Sequence, residues 1–368
     1  VENAARRLGV EEELLLVDPE DGRPLGLSAS VRDAGEELDG EMRAEQVETG
    51  STPHDDADAL ARDLLARRRA AADAAAAQGA ALATSPVAPD PISPPPGRYG
   101  RIHERFGPIA SEQLTNGQHV HVEIGSREEG VGVLDRIGPW LPVLRAISAN
   151  SPFWRGHDTG HASYRSLVWA RWPSAGPTPL FGTPEAYDAV VAEMVASGTV
   201  LDEGMVYFDA RLAASYPTVE IRVADVAGEV EEAVVVALLA RAVVETAARS
   251  WAAGEPPATS SVEVLRLAHW RAARSGCVPG PDTEAGLLVD PRTGRPAEAG
   301  AVVHGLLEHV ADALGPDAGR ARAGCARVLA GDTGAARQRR VFADAGGHAG
   351  GGTKAVALDA AARCAPRS

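Results

Sequence analysis

Four short segments of the chain alternate apolar residues with acidic, imidazole or guanidinium side chains. They are Leu8-Gly9-Val10-Glu11-Glu12-Glu13-Leu14-Leu15, Glu45-Gln46-Val47-Glu48, Gly117-Gln118-His119-Val120-His121-Val122-Glu123-Ile124 and Thr218-Val219-Glu220-Ile221-Arg222-Val223. In an extended strand, residues two apart share a face. Glu11 and Glu13 therefore point the same way, as do Gln46 and Glu48, His119 and His121, and Glu220 and Arg222. Val47, Val120, Val122, Val219 and Ile221 point the other way, toward an apolar core. Carboxylates gathered on one face repel each other unless cations sit among them. Divalent metals used for phosphate chemistry are the reading this pattern suggests.

The rest of the pattern fills in the elements. Residues 8–17 predict a strand that ends at the turn Asp18-Pro19-Glu20-Asp21-Gly22. A second strand lies within 41–50. Thr52-Pro53, with Asp55 and Asp56 behind, opens a long Ala/Arg/Leu helix to about Gly79. A short strand over 81–84 precedes a proline-rich extended loop, Pro86 to Gly97. The His-x-His strand spans 117–125, and a helix over 131–149 stops at Asn150-Ser151-Pro152. The segment 153–182 reads as an ordered functional loop. Helices are expected from Pro184 to Ser197, from Glu229 to Ala253, and near 260–275, 300–314 and 318–330, with strands at 205–212 and 217–224. There is no internal repeat and no regular βαβ alternation. The prediction is an α+β fold with a largely antiparallel sheet flanked by helices. Residues 1–344 form a single catalytic domain in this reading, and 345–368 a flexible Gly/Ala-rich tail.

Composition narrows the chemistry. The 368 residues and 45% apolar content suit a well-packed globular protein. A net charge of −15 argues against loose binding to nucleic acid or anionic membrane. No apolar run approaches the roughly 20 residues of a membrane span. Cys277, Cys325 and Cys364 give neither a zinc spacing nor a disulfide framework. With no signal-peptide pattern visible, they point to a reducing, cytoplasmic setting. Lys354 is the only lysine among 36 basic residues. There is no Walker lysine, so phosphate handling falls to arginine, metal ions and backbone groups.

Each candidate has an ordinary alternative. Glu11 and Glu13 offer hard oxygen ligands suited to Mg²⁺ or Mn²⁺, or form the charged edge of a solvated strand. Glu12 faces away and reads as surface. His119 and His121 can hold zinc in a hydrolase if His103, His157 or His161 supplies a third ligand. Glu220 can take a metal while Arg222 grips a phosphoryl oxygen with its planar fork, or the two form a salt bridge. Asp225 either orients Arg222 or ends the strand. Arg165 and Arg171 lie in the 153–182 loop, and Arg211 in the strand before Glu220.

Taken together, these segments resemble the carboxylate–amine ligases of the glutamate–cysteine ligase type 2 family. The resemblance runs from about Gly9 to Arg274. It rests on Gly9-Val10-Glu11-Glu12-Glu13, Gln46-Val47-Glu48, Gly117-Gln118-His119-Val120-His121-Val122, Ala149-Asn150-Ser151-Pro152-Phe153-Trp154, Asp158-Thr159-Gly160-His161-Ala162-Ser163-Tyr164-Arg165, Thr218-Val219-Glu220-Ile221-Arg222 and Trp270-Arg271-Ala272-Ala273-Arg274. The order Glu-x-Glu, Gln-x-Glu, His-x-His, Glu-x-Arg is also similar to glutamine synthetase. The resemblance implies a curved antiparallel sheet lining a metal-bearing funnel for ATP. It implies an ATP-dependent ligase that joins a small-molecule carboxylate to an amine through an acyl phosphate, with Mg²⁺ or Mn²⁺. Glu11, Glu13, Glu48, His119 and Glu220 are then the metal ligands, and His121 lies against ATP phosphate. Arg222 stabilises the phosphoryl group in transfer. Arg165 clamps the substrate carboxylate or acyl phosphate, and Glu41 stands near the incoming amine. Arg211, Arg271 and Arg274 are assigned to substrate or phosphate. A homo-oligomer is implied by the resemblance alone.

The chain departs from the family pattern at Gln118, at Glu123, and at Tyr207-Phe208-Asp209, where two tryptophans usually precede the aspartate. These departures bear on the identity of the acid and amine. Two other readings stay open at this level: the zinc hydrolase, and a catalytically silent relative that binds a nucleotide.

Overall fold

The four alternating segments become neighbours in one antiparallel sheet. The protein is described by a computed structural model covering residues 5–35, 38–85, 97–278 and 286–366. The expected proline-rich loop lies almost wholly outside the described residues. The chain supplies β1 (Leu8–Val17), β2 (Asp39–Gly40), β3 (Gln46–Gly50), β4 (Ala81–Ala83) and β5 (Gly117–Glu123). After a small hairpin of β6 (Phe153–Trp154) and β7 (His157–Asp158) come β8 (Ala210–Leu212) and β9 (Thr218–Asp225). The main sheet runs β2-β3-β1-β5-β9-β8, with β4 paired to the end of β1. A second hairpin, β10 (Leu287–Asp290) with β11 (Arg295–Glu298), was not foreseen.

Register decides which polar residues meet. Glu13 pairs with Glu48 across β1 and β3, and Glu11 pairs with His119 across β1 and β5. His121 pairs with Glu220 across β5 and β9, and Glu220 with Arg211 across β9 and β8. Between Gln118 and Val120 the register shifts, because β9 carries one extra residue. That bulge brings Asp225 level with Gly117.

The reverse face is apolar. Val10, Val120, Val122, Val219 and Ile221 are buried in one cluster with the helices Ala57–Ala77, Arg127–Ile137, Leu141–Ile147 and Val230–Ala252. Each such side chain contributes about 1.5–3 kcal/mol by leaving water. Asp56 caps the helix Ala57–Ala77 by accepting from Ala59 N, and Glu229 and Glu232 form a capping box on Val230–Ala252. The helix expected over 131–149 is broken into Arg127–Ile137, a 3₁₀ turn Gly138–Trp140, and Leu141–Ile147. Pro139 and Pro142 lack the amide hydrogens that a continuous helix would need there.

Two expectations change. Glu12 is not surface: it is fully buried on the helix-facing side. Arg68, equally buried, grips it in a fork, Nε to Oε2 at 2.8 Å and Nη2 to Oε1 at 2.5 Å. The same guanidinium donates to the carbonyls of Ala227 and Cys364. Nor does the Gly/Ala-rich end remain a loose tail. Residues Ala349–Cys364 form a helix that packs on β4 and on the helix Gly334–Asp344, burying Cys364. Its alanines favour helix strongly enough to carry the three glycines at its start. No described helix is long and apolar enough to cross a membrane.

Glu12→Ala leaves the buried Arg68 guanidinium without its counter-charge. It should destabilise the fold by about 3–5 kcal/mol. The double variant Glu12→Leu/Arg68→Met should recover most of that loss, as read by urea titration. Equal stability of Glu12→Ala and the unaltered chain would remove this pair from the account.

Candidate functional site

The polar face of the sheet gathers the predicted carboxylates into two groups. Ligand-capable atoms of Glu11, His121 and Glu220 all lie within 4.8 Å of one another, and so do those of Glu13, Glu41 and Glu48. His119 stands between the groups. Its Nδ1 is 3.4 Å from Glu11 Oε2 and 3.9 Å from Glu220 Oε1, while its Nε2 is 3.7 Å from Glu13 Oε1. His121 Nε2 lies 3.2 Å from Glu11 Oε1, and its Nδ1 meets Thr218 Oγ1 at 2.9 Å. Glu41, expected beside the amine, lies within the second carboxylate group. Its strand-free position hides this, because no alternation marks it.

Each acid is held in a different electrostatic state. Burial would raise the Glu11 carboxyl, but His119 and His121 hold it far below the usual carboxylate range. Glu220 is likewise pulled down against burial, to about 2, chiefly by Arg222 and Arg211. Glu13 has burial and the neighbouring Glu41 against it and rises to about 7. Burial and Glu41 also push Glu48 well up. His119, buried and close to Arg222, falls to about 4 and is neutral near pH 7. One group is thus an anion balanced by cations, and the other a proton-sharing cluster awaiting positive charge.

Guanidinium groups complete the pocket. Arg222 is buried and bonds Glu220, and Arg211 holds the same carboxylate with Nε at 2.6 Å from Oε2. Arg165 is fully buried just beneath. It feels the charge of Glu13 and Asp225, and its pKa is lowered by burial. Gly117 makes this approach feasible: a Cβ there would overlap the Arg165 guanidinium. The Gly117 amide also donates to Glu13. Arg165 and Arg222 both lie over the Trp169 ring, with Cζ 5.8 and 5.7 Å from its centroid. Asp225 does not orient Arg222. It accepts from Asn150 N at 2.8 Å, Ser151 Oγ at 2.7 Å and Ser163 Oγ at 2.8 Å, fixing the loop that delivers Arg165.

The resulting cavity of about 280 Å³ is lined by the acids, His119, His121, Arg211 and Arg222, and by Arg98, Tyr99, Trp169 and Tyr207. The aromatic wall was missed: Tyr99 and Trp169 fall in segments with no period to mark them. Arg271 and Arg274 do not reach this cavity. Arg274, in the helix Val262–Ser275, sits against Gly160. Of the family departures, Tyr207 does line the cavity. Gln118 faces the helices instead, donating to Ala233 O, and Asp209 pairs with Arg145.

The residues fit divalent cations with hard oxygen preference. Both groups are mainly carboxylate, and the buried Nε2 atoms of His119 and His121 have no hydrogen-bond partner. The zinc reading does not find the third histidine or cysteine that it calls for. Among the described residues neither group contains a cysteine or a second histidine, and His161 lies elsewhere, near Arg274 and Trp270.

Comparison with known proteins adds the lineage. The family described as glutamate–cysteine ligase family 2 matches residues 7–357. A Streptomyces coelicolor protein with the provisional name glutamate–cysteine ligase 2 is 49% identical over 353 residues, covering 93% of this chain and 95% of its own. A Streptomyces avermitilis protein with a similar provisional name is 49% identical over 324 residues, covering 85% and 87%. Two solved structures share the fold at low identity. The bifunctional glutathione synthetase of Pasteurella multocida gives a TM-score of 0.68 at 14% identity, with 99% of this chain and 53% of that one covered. The glutamate–cysteine ligase of Francisella tularensis, in complex with AMP, gives 0.66 at 13%, with 100% and 90% covered.

The electrostatics predict how the metal-free protein responds to pH. Folded Glu13 keeps its proton to about pH 7, against about 4.5 for a glutamate in the unfolded chain. Its contribution to stability is therefore intact below pH 4.5 and lost as pH rises through 7. The loss is on the order of 3 kcal/mol. His119, depressed to about 4, works the opposite way below pH 6.5, so the difference between variants is the clean quantity. With chelator present, Glu13→Gln should melt above the unaltered chain at pH 8 and match it at pH 4. Excess Mg²⁺ or Mn²⁺ should restore the unaltered chain at pH 8. A Glu13→Gln variant that is no more stable at pH 8 would contradict the crowding described.

Proposed function

The chain belongs to glutamate–cysteine ligase family 2, and on that premise we propose how its acid-lined pocket carries out the reaction. The enzyme is an ATP-dependent carboxylate–amine ligase, which makes an amide bond at the expense of ATP. A divalent metal goes with that chemistry, and in our reading it is Mg²⁺ or Mn²⁺. Glu11, His119 and Glu220 would hold one ion, and Glu13, Glu41 and Glu48 another. When bound, such ions neutralise the triphosphate and the charge that builds on the transferring phosphoryl group.

The remaining work falls to the chain's own side chains. A cavity of about 640 Å³ opens on the side of Gly9, Ser51, His121, Tyr216 and Thr218, and shares Glu11, Glu48 and His121 with the acid-lined pocket. We assign the nucleotide's base and ribose to it, with His121 against the phosphates. Arg222 presents a planar fork to the phosphoryl oxygens in transfer, with Arg211 steadying it through their shared partner Glu220. Arg165, buried below Glu13, clamps the substrate carboxylate. A carboxylate oxygen attacks the γ-phosphorus and ADP leaves. The amine nitrogen then attacks the acyl carbon, phosphate leaves with the bonding pair, and the nitrogen gives up its proton. Trp169 lies against both guanidinium groups and helps to fix their positions.

One observation supports this reading above the rest: two acid groups on a single sheet face, with His119 between them and two guanidinium groups alongside. The names of the relatives make glutamate and cysteine one substrate pair to test; another amino acid with another amine is the second. Three free, buried cysteines support a cytoplasmic setting. In this reading the catalytic unit takes in the sheet-bearing region together with the C-terminal helix packed on it, and identical chains assemble around it.

A phosphate-release screen of amino acids against amines with Mg-ATP tests the assignment. At least one pair should release phosphate in the presence of both partners. Glu11→Ala should lower that rate by about a hundredfold or more while leaving the fold intact. Arg222→Lys should lose about a hundredfold, since an ammonium cannot supply the fork. Unchanged turnover in Glu11→Ala would remove the metal assignment, and near-normal rates in Arg222→Lys would move the phosphoryl role elsewhere.

A further inference from the structure

The helix Val262–Ser275 buries Leu265, Ala268, His269, Ala272 and Ala273 on one side and packs against Leu141–Ile147. Its opposite side is not the polar face that a surface helix usually shows. Leu267 is 66% exposed, Trp270 51% and Val264 38%. Five large apolar side chains are exposed among the described residues; these three share one helix, while Leu180 and Tyr216 lie in separate loops. Trp270 carries the apolar surface on into half-buried rings. His161 is 6.1 Å from it, Tyr164 is 5.7 Å from His161, and Trp154 is 5.7 Å from Tyr164.

Single exposed apolar residues need no explanation, but a contiguous patch of them marks a docking surface. The charges around this one select its occupant. Leu267 stands at the centre of the exposed face. Val264 and Trp270 lie three residues before and after it, and Glu263 and Arg271 four before and after. The face is therefore its own complement when reversed. When it is laid antiparallel on a second copy, about a twofold axis at Leu267, the two Leu267 side chains meet. At about 1.5 Å per residue, Val264 comes level with the second copy's Trp270, and Glu263 with the second copy's Arg271. The symmetry makes that ion pair twice. Arg266 falls on the flank beside the second copy's indole, a favourable place for a guanidinium. A parallel arrangement would set Glu263 against Glu263 and Arg271 against Arg271. The net charge of −15 repels copies in general, so a surface on which opposite charges meet is the place where two can approach.

We propose that two copies of this chain dimerise through the exposed face of the helix Val262–Ser275, crossing antiparallel at Leu267. The inference rests on the assembly of identical chains in the reading above, and not on the ligase chemistry. The contact lies on a helix that also supports the acid-lined pocket. The Ala273 carbonyl accepts from Ala162 N and Ser163 N, each at 2.9 Å, in the stretch of chain that leads to Arg165.

Sedimentation velocity of the full chain across a dilution series tests it. The unaltered chain should run as a dimer that dissociates on dilution. Leu267→Asp alters an exposed position and should leave Tm unchanged at concentrations where both chains are monomeric. It should raise the dimer's dissociation constant by about a hundredfold or more. Glu263→Arg and Arg271→Glu should each raise it by about tenfold. The chain carrying both should return to within about threefold of the unaltered one, because the charges are exchanged and the pairing is kept. A chain that stays monomeric at every concentration would overturn the proposal together with the assembly of identical chains. A dimer that persists in Leu267→Asp, or charge reversals that do not rescue each other, would overturn this surface and leave the assembly standing. Phosphate release enters none of these measurements, so the ligase assignment is judged separately.

Discussion

Like-charge crowding on one sheet face governs this molecule. Glu11, Glu13, Glu41, Glu48 and Glu220 surround a cavity of about 280 Å³. Two bare carboxylates about 4 Å apart repel by about 4 kcal/mol at the effective dielectric of a protein surface. The structure relieves this in three different ways. Arginines neutralise Glu220, imidazoles support Glu11, and Glu13 and Glu48 keep protons instead. The third arrangement is the least comfortable near neutral pH, and a divalent cation would relieve it most. Metal affinity and the cost of the empty site are thus two sides of the same arrangement.

Such a face needs a firm backing. Alternation along β1 sends Glu11 and Glu13 into the pocket and Glu12 into the layer behind, where Arg68 meets it. That guanidinium also ties down the turn before the helix Val230–Ala252 and the end of the C-terminal helix. The bulge in β9 performs the matching task at the other side. By shifting register at His119 it turns Asp225 toward the Asn150–Ser151 corner, and the corner delivers Arg165 under Gly117. The pocket's geometry is therefore set from behind, by residues that never touch its space.

The sheet face was legible because period-2 alternation is a strong local signal, and β1, β3, β5 and β9 carry it plainly. What alternation cannot report is the environment of the opposite face. Glu12 read as surface because its partner lies 56 residues away on a helix whose own pattern makes Arg68 look like any other arginine. That Glu41 clusters with Glu13 and Glu48 is not legible locally, because it sits outside regular structure. Arg271 and Arg274 enter by resemblance alone, and neither lines the acid-lined cavity; Arg274 lies against Gly160. Glycines at its start mask the C-terminal helix, whereas Pro139 and Pro142 mark the helix break in the sequence itself. Aromatic contacts such as Trp169 under two arginines depend on three separate segments, and no local pattern encodes them.

Arginine usage sharpens the electrostatic argument. The only lysine, Lys354, lies in the C-terminal helix and lines a different cavity, beside Arg23 and Trp154. All the permanent positive charge in the acid-lined pocket is therefore guanidinium, which does not lose its proton at any pH the fold survives. Near neutral pH only carboxylates and imidazoles titrate there, because burial pushes the Tyr99 and Tyr207 phenols up. With His119 held neutral near pH 7, the pocket's charge is decided by how many protons the Glu13 group keeps. A cation entering that group must displace those protons. Its apparent affinity should therefore rise with pH across the range where Glu13 and Glu48 ionise.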